Sequence, residues 1–207
     1  MTATAQPSTA AAGGPAREHE RPRALAWLYV VGGLVGLAAS FGLVLEKLAK
    51  LQNPGYVPSC SMNPIISCGS VMSSWQAGIV GFPNPVIGVA AFPVVVTAGA
   101  ALLAGFTAPR WFWAGMQVAT TAAVVFIHWL IVESLYEIQA LCPYCMVVWV
   151  VTIATFWYTT LHNLGGTAAG GFRGGLARFH SLVLLLWYLA VVGLILQKFW
   201  SYWISLL

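Results

Sequence analysis

The chain has 207 residues, of which 59% are hydrophobic and only 7% charged, and its mean hydropathy is +0.82. Soluble domains carry about 25% charged residues, so nine basic and five acidic side chains cannot cover a water-exposed surface of this size. The modest net charge of +4, broken by apolar stretches, argues against a nucleic-acid footprint as well. The composition predicts an all-α integral membrane protein.

Residues 1–23 are small, polar and rich in Pro and Gly, and lack the apolar content to fold alone. They are expected to form a disordered cytoplasmic tail, with residues 24–207 as one membrane domain. A cleaved signal peptide would place its positive charge first and a short apolar core within about 15–30 residues. Here Arg17, Arg21 and Arg23 follow a neutral tail and precede a long apolar run, which predicts a retained first helix. About 20 apolar residues cross the hydrocarbon core, and five segments meet that length: 24–45, about 82–106, 111–132, 142–162 and about 181–197. On the first, Gly32, Gly36 and Ser40 stand four apart, a small-residue row that lets a neighbouring helix approach closely. A long loop, about 46–81, follows it, and residues 163–179 form a glycine-rich connector before the last span.

Lys and Arg in short loops set orientation. With the N-terminus inside, the cytoplasmic side collects Arg17, Arg21, Arg23, Arg110, Arg173 and Arg178, against Lys47, Lys50 and Lys198 outside. All four cysteines then fall on the non-cytoplasmic side, Cys60 and Cys68 in the long loop and Cys142 and Cys145 at the start of the fourth span. Cys142-Pro-Tyr-Cys145 is a CxxC at a helix N-terminus, with proline where the first turn tolerates it. The helix dipole there favours the thiolate, the species that attacks disulfides. Two static disulfides are one alternative, which an oxidising exterior permits, but a CxxC loop is too short to constrain much unfolded chain. Zinc is another, although its ligand pairs are usually spaced two to four residues apart and Cys60 and Cys68 are wider than that. Redox exchange is the favoured reading. A CxxC at the bilayer edge is where a lipid-soluble oxidant and a water-borne thiol protein both reach.

The run Cys60-Ser-Met-Asn-Pro-Ile-Ile-Ser-Cys68, the serine at Ser74, Asn84-Pro-Val-Ile-Gly88 and Cys142-Pro-Tyr-Cys145 together resemble the vitamin K epoxide reductase family in its bacterial form, over roughly residues 25–165. The resemblance implies a four-helix transmembrane bundle around a quinone (menaquinone or ubiquinone), with a fifth helix added. It implies that Cys142 and Cys145 are the active-site pair, Cys145 facing the quinone and Cys142 exchanging with Cys68. Cys60 and Cys68 become the shuttle pair that meets a thioredoxin-fold partner. Ser74 and Asn84 are similar to positions near the quinone pocket, and Trp149 stands where the vertebrate enzymes have a tyrosine. Without that hydroxyl, reduction of vitamin K epoxide is less favoured than disulfide formation outside the cytoplasm, in a bacterial inner membrane. The chain ends at Leu207, so the thioredoxin-fold partner is expected to be a separate extracytoplasmic protein. A quinone or epoxide reductase that uses thiols only as reductant, and a non-enzymatic scaffold held by structural disulfides, are the rival readings.

His128 lies inside the third span, where an ionisable group is a functional candidate by default; a neutral histidine bonded to a neighbouring helix is the plain alternative. Glu133 and Glu137 are expected to be solvated. Trp75, Trp111, Trp113, Trp200 and Trp203 sit near span ends, as an aromatic belt requires.

Overall fold

A computed structural model describes residues 23–165 and 179–205. Five of its helices are long and apolar enough to cross a membrane: α1 (Arg23–Gln52), α3 (Pro85–Leu103), α4 (Arg110–Tyr136), α5 (Pro143–Gly165) and α6 (His180–Lys198). Two short α-helices, α2 (Cys68–Ser73) inside the long loop and α7 (Trp200–Ser205) after the fifth span, and a 3-10 turn at Trp75–Gly78 complete the helices among the described residues. No strand occurs among the described residues; one isolated bridge joins Ile66 to Leu141. The protein is therefore an all-α membrane protein.

The 30 residues of α1 run about 45 Å at 1.5 Å per residue, against a hydrocarbon core of about 30 Å. The helix thus continues past the expected end at residue 45. Glu46, Lys47 and Lys50 lie on helix rather than in loop, with their side chains turned to the segment that follows. The second span opens at Pro85, a residue the first turn tolerates, and carries Pro93 within it; it ends before Gly105, whose φ of +101° breaks the helix. Arg23 and Arg110 open α1 and α4 at the same end of the bundle. Arg17, Arg21, Arg173 and Arg178, the N-terminal tail and most of the glycine-rich connector lie outside the described residues.

Helix α1 packs against α3 and α5, and α5 against α4. The α1–α3 contact depends on small residues. A Cβ on Gly33 would meet Val96 Cγ2 at 2.7 Å, one on Gly99 would meet the Ala26 carbonyl oxygen at 2.7 Å, and those on Gly36 and Gly88 would run into the Phe92 ring and Ser40 Oγ. Gly36 and Ser40 of the small-residue row thus face α3, whereas Gly32 turns towards Val151 of α5. Helix α6 has Ile195 as its one buried residue. It is fastened by Trp187 Nε1 donating to His128 Nε2 (3.0 Å) and Tyr188 Oη donating to the Val150 carbonyl (2.8 Å).

Candidate active site

The loop after α1 reaches the start of α5 through its backbone. Leu141 N–H donates to the Ile65 carbonyl (2.7 Å) and Ser67 N–H to the Leu141 carbonyl (2.9 Å). Asn63 Oδ1 accepts from Ile65 N–H (3.0 Å) and Ile66 N–H (2.6 Å), which shapes the turn leading into this pairing. Ser67 then caps α2 by accepting from Ser70 N–H, the role its short hydroxyl side chain suits. The far end of α2 is held from α1, where Lys47 Nζ donates to the Met72 carbonyl (2.7 Å) and Lys50 Nζ to the Gly69 carbonyl (3.0 Å). Because Ser67 pairs with Leu141, the residues that follow them, Cys68 and Cys142, are forced together.

Cys60 and Cys68 are joined by a disulfide with Cα atoms 5.7 Å apart, and Cys142 and Cys145 are free thiols. Cys142 Sγ lies 3.2 Å from Cys68 Sγ. The sulfurs of Cys60, Cys68 and Cys142 all fall within 4.8 Å of one another, buried with Leu43 and Met72. A hydrogen bond from the Cys145 thiol, helped by the Tyr144 and Cys145 backbone N–H groups, holds the Cys142 thiol below its ordinary range against the opposing effect of burial. A thiol so poised, beside a disulfide sulfur, is arranged for exchange.

Cys145, one turn along, lines a different space. A cavity of about 410 Å³ opens between α1, α3, α4, α5 and the loop, and Ser74, Asn84, Cys145 and Trp149 all lie in its wall. Its size falls in the range of small-molecule sites, about 300–1,000 Å³. Asn84 Nδ2 donates to the Gln76 carbonyl (2.6 Å), which fixes the amide's orientation and leaves its Oδ1 buried with no partner. A buried acceptor without a partner is rare enough to need a reason, and a ligand hydroxyl supplies one. Ser74 Oγ already donates to the Val71 carbonyl (2.8 Å) and has only acceptor capacity left for a ligand. An apolar cavity with a thiol and an unpartnered acceptor on its wall fits the headgroup of a quinone in its reduced, hydroxyl-bearing form.

Three lining residues escaped the sequence reading. Gln76 is buried and donates to Glu133 Oε2 (2.8 Å), so Glu133 is tied to the cavity wall rather than solvated; Glu137 is exposed, as expected. Lys47 passed as a loop charge, and its lysine-on-helix spacing to Lys50 was the available signal. Thr155 carries the second buried unpartnered oxygen and stands about 15 Å along α5 from Cys145. His128 Nδ1 bonds the Val124 carbonyl (2.7 Å) while Nε2 accepts from Trp187, which is the Nδ1-protonated tautomer with both nitrogens used in helix packing. Trp75, Trp111 and Trp200 are exposed, Trp113 packs on His162 (centroids 3.9 Å), and the Trp203 side chain is outside those described.

A comparison with curated proteins returns no match. The sequence profile described as the vitamin K epoxide reductase family matches residues 27–160, well over half of the chain. The matched region takes in both cysteine pairs and every cavity-wall residue named above. The chain belongs to the vitamin K epoxide reductase family, and is accordingly a multi-pass membrane oxidoreductase of the thiol–disulfide and quinone class.

Proposed function

We propose that the protein passes electrons from a separate thioredoxin-fold partner through Cys60/Cys68 and Cys142/Cys145 to menaquinone or ubiquinone, making disulfides for proteins outside the cytoplasm. The observation that carries this reading is the 3.2 Å approach of Cys142 Sγ to Cys68 Sγ, with Cys145 on the cavity wall one turn away. On this reading the N-terminus is cytoplasmic, all four cysteines are extracytoplasmic, and the membrane is the inner membrane of a bacterium.

The chemistry balances. A partner dithiol opens the Cys60–Cys68 bond and leaves as a disulfide, giving two loop thiols. Cys68 then attacks the oxidised inner pair at Cys142 and releases Cys145 as a thiolate, and Cys60 attacks Cys68 to set Cys142 free. Two electrons and two protons have moved inward, and a bonded loop pair beside two free thiols is the arrangement reached at that point. A quinone bound in the cavity takes up two electrons and two protons and leaves as the quinol. Cys145 gives up the electron pair to it, and Cys142 closes on Cys145 to restore the inner disulfide. Asn84 Oδ1, an acceptor, favours the hydroxyl of the reduced ring over the carbonyl of the oxidised one. Trp149 forms part of the wall and brings no hydroxyl to the ring.

The test is quinone reduction by the purified protein, given a reduced thioredoxin-fold donor. Cys142→Ala and Cys145→Ala should each abolish turnover with any thiol donor. Cys60→Ala and Cys68→Ala should keep part of it with dithiothreitol, which reaches the inner pair directly. Equal and complete loss in all four variants with dithiothreitol would overturn the two-step relay.

A further inference from the structure

The backbone pairing that joins Ser67 to Leu141 also assembles a group of sulfurs that linear spacing disguises. Zinc ligand pairs usually stand two to four residues apart, but here the third sulfur comes from the residue just before α5, 74 positions beyond Cys68. Cys60, Cys68 and Cys142 are each at most 6% exposed, and their sulfurs converge within 4.8 Å. While the loop disulfide is closed, one free thiol remains among them. Once it is opened, three thiols share one small apolar space.

We propose that the reduced protein binds a single soft monovalent cation, copper(I), through Cys60, Cys68 and Cys142, and that this ion arrests the relay until it is removed. Ligand number favours copper over zinc. Structural zinc takes four ligands in a tetrahedron, whereas this group has three members, with neither histidine nor carboxylate among the described residues. Cys145 bonds the Cys142 thiol but lies outside the group of three, in the cavity wall. Thiolates select soft ions such as copper(I). Metal–sulfur bonds of about 2.3 Å around a three-coordinate centre put the sulfurs about 4 Å apart, inside the observed spread.

Charge supports the same reading. Three thiolates and one monovalent cation leave two negative charges in a buried place. Lys50 Nζ bonds the carbonyl of Gly69, the residue after Cys68, and Lys47 Nζ bonds that of Met72, which packs on the cysteines. Two ammonium groups are therefore bonded to the backbone of α2, the helix that carries Cys68, beside a site short of two positive charges. Opening the loop disulfide takes two electrons and two protons from a dithiol donor, or from a water-soluble phosphine that leaves as its oxide with oxygen from water. Copper binding then releases the three thiol protons. The site itself needs only the cysteine geometry, while the arrest of turnover rests on the proposed relay.

The experiment titrates the purified protein with copper(I) against a colorimetric chelator, without oxygen, after phosphine reduction and in the oxidised form. The reduced wild type should take up one copper and the oxidised form none. Outer-shell changes alone cost about 10–100-fold in metal affinity, so Cys60→Ser, Cys68→Ser and Cys142→Ser should each weaken binding by about 100-fold or more. Cys145→Ser should keep the wild-type affinity, and melting curves of every variant report on folding. Equal uptake by oxidised and reduced protein overturns the site. So does a Cys145→Ser loss as large as that of Cys142→Ser, which would make the CxxC alone the ligand. Copper-loaded protein should stop reducing quinone and recover when the chelator strips the ion; continued turnover with copper bound overturns the arrest. A protein that binds copper as described but never reduces quinone would sink the relay and leave the site standing.

Discussion

The double substitution Cys60→Ser with Cys145→Ser leaves Cys68 and Cys142 as the only thiols. Their sulfurs are 3.2 Å apart, and a disulfide needs about 2.05 Å, so a shift of roughly 1.2 Å closes the bond. The new bridge joins residues 74 positions apart, whereas the natural loop bridge spans 8. In the chain-entropy treatment the longer closure is worth about 4.5 kcal/mol and the shorter about 2.5 kcal/mol. For a chain of this size, 1 kcal/mol moves the melting temperature by about 2–4 °C. Oxidation should therefore raise the melting temperature of the double variant by about 9–18 °C, and that of a Cys142→Ser, Cys145→Ser variant, which can form only the loop bridge, by about 5–10 °C. Mass spectrometry of non-reduced peptides reads the bond, and thermal unfolding in detergent, with and without a phosphine, reads the stabilisation. If mild oxidation leaves both Cys68 and Cys142 open to alkylation, the loop does not hold the two sulfurs together and the relay loses its central step.

The depressed Cys142 thiol sets a pH dependence. Its thiolate is fully formed above the lowered pKa and lost as pH falls through it, so peptide-resolved alkylation of Cys142 should have its midpoint below that of an ordinary thiol. Cys145→Ala, which removes the hydrogen bond that lowers the Cys142 thiol most, should move that midpoint up; an unmoved midpoint would assign the shift elsewhere. Asn84→Ala removes one acceptor worth about 1–1.5 kcal/mol, so kcat/KM for quinone should drop about tenfold while exchange between the two cysteine pairs is unchanged. A full-rate variant would show that the Asn84 Oδ1 position plays no part in quinone turnover. Gly99→Ala places a methyl against the Ala26 carbonyl and should cost about 1–3 kcal/mol by overpacking. Gly115→Ala, in open space on α4, should instead gain up to about 1 kcal/mol from helix propensity; equal melting shifts would deny the close α1–α3 contact.

The spans were legible because hydrocarbon demands long apolar helices, and that demand is written locally. Their ends were less so. Helix α1 continues seven residues beyond 45 since Glu46, Lys47 and Lys50 look like loop charges until their partners, Ser59, Met72 and Gly69, are folded beside them. Helix α2 has six residues, too few for a periodic pattern, and its cap at Ser67 was the one local sign. The four cysteines stood out by residue type and spacing. That Leu141 pairs with Ile65 and Ser67 did not, because backbone pairing across more than seventy residues leaves no signature in side-chain type. The cavity wall was legible at Ser74, Asn84 and Trp149 through resemblance, whereas Gln76 and Thr155 read as ordinary polar residues until burial singled them out.

The long loop is fastened unequally along its length, and this bears on how a partner reaches a buried disulfide. From Ile65 to Ser73 it is held by two backbone bonds to α5 and α1's two lysines, next to Cys68, which is 0% exposed. The limb leading to Cys60 is held through one carboxylate. Glu46 accepts from Ser59 Oγ, Ser59 N–H (3.3 Å) and Tyr56 Oη (3.0 Å), and the bond from the Tyr56 phenol pushes that phenol up. The two bonds to Ser59 lie at the surface, where water readily replaces them, so opening that limb costs less than peeling α2 from the start of α5. On the proposed relay, Cys60 is accordingly the sulfur that an incoming thiolate would reach first, while Cys68 keeps its 3.2 Å contact with Cys142. Partner attack and inward transfer then use different ends of the same disulfide, and neither step requires the other's contacts to break.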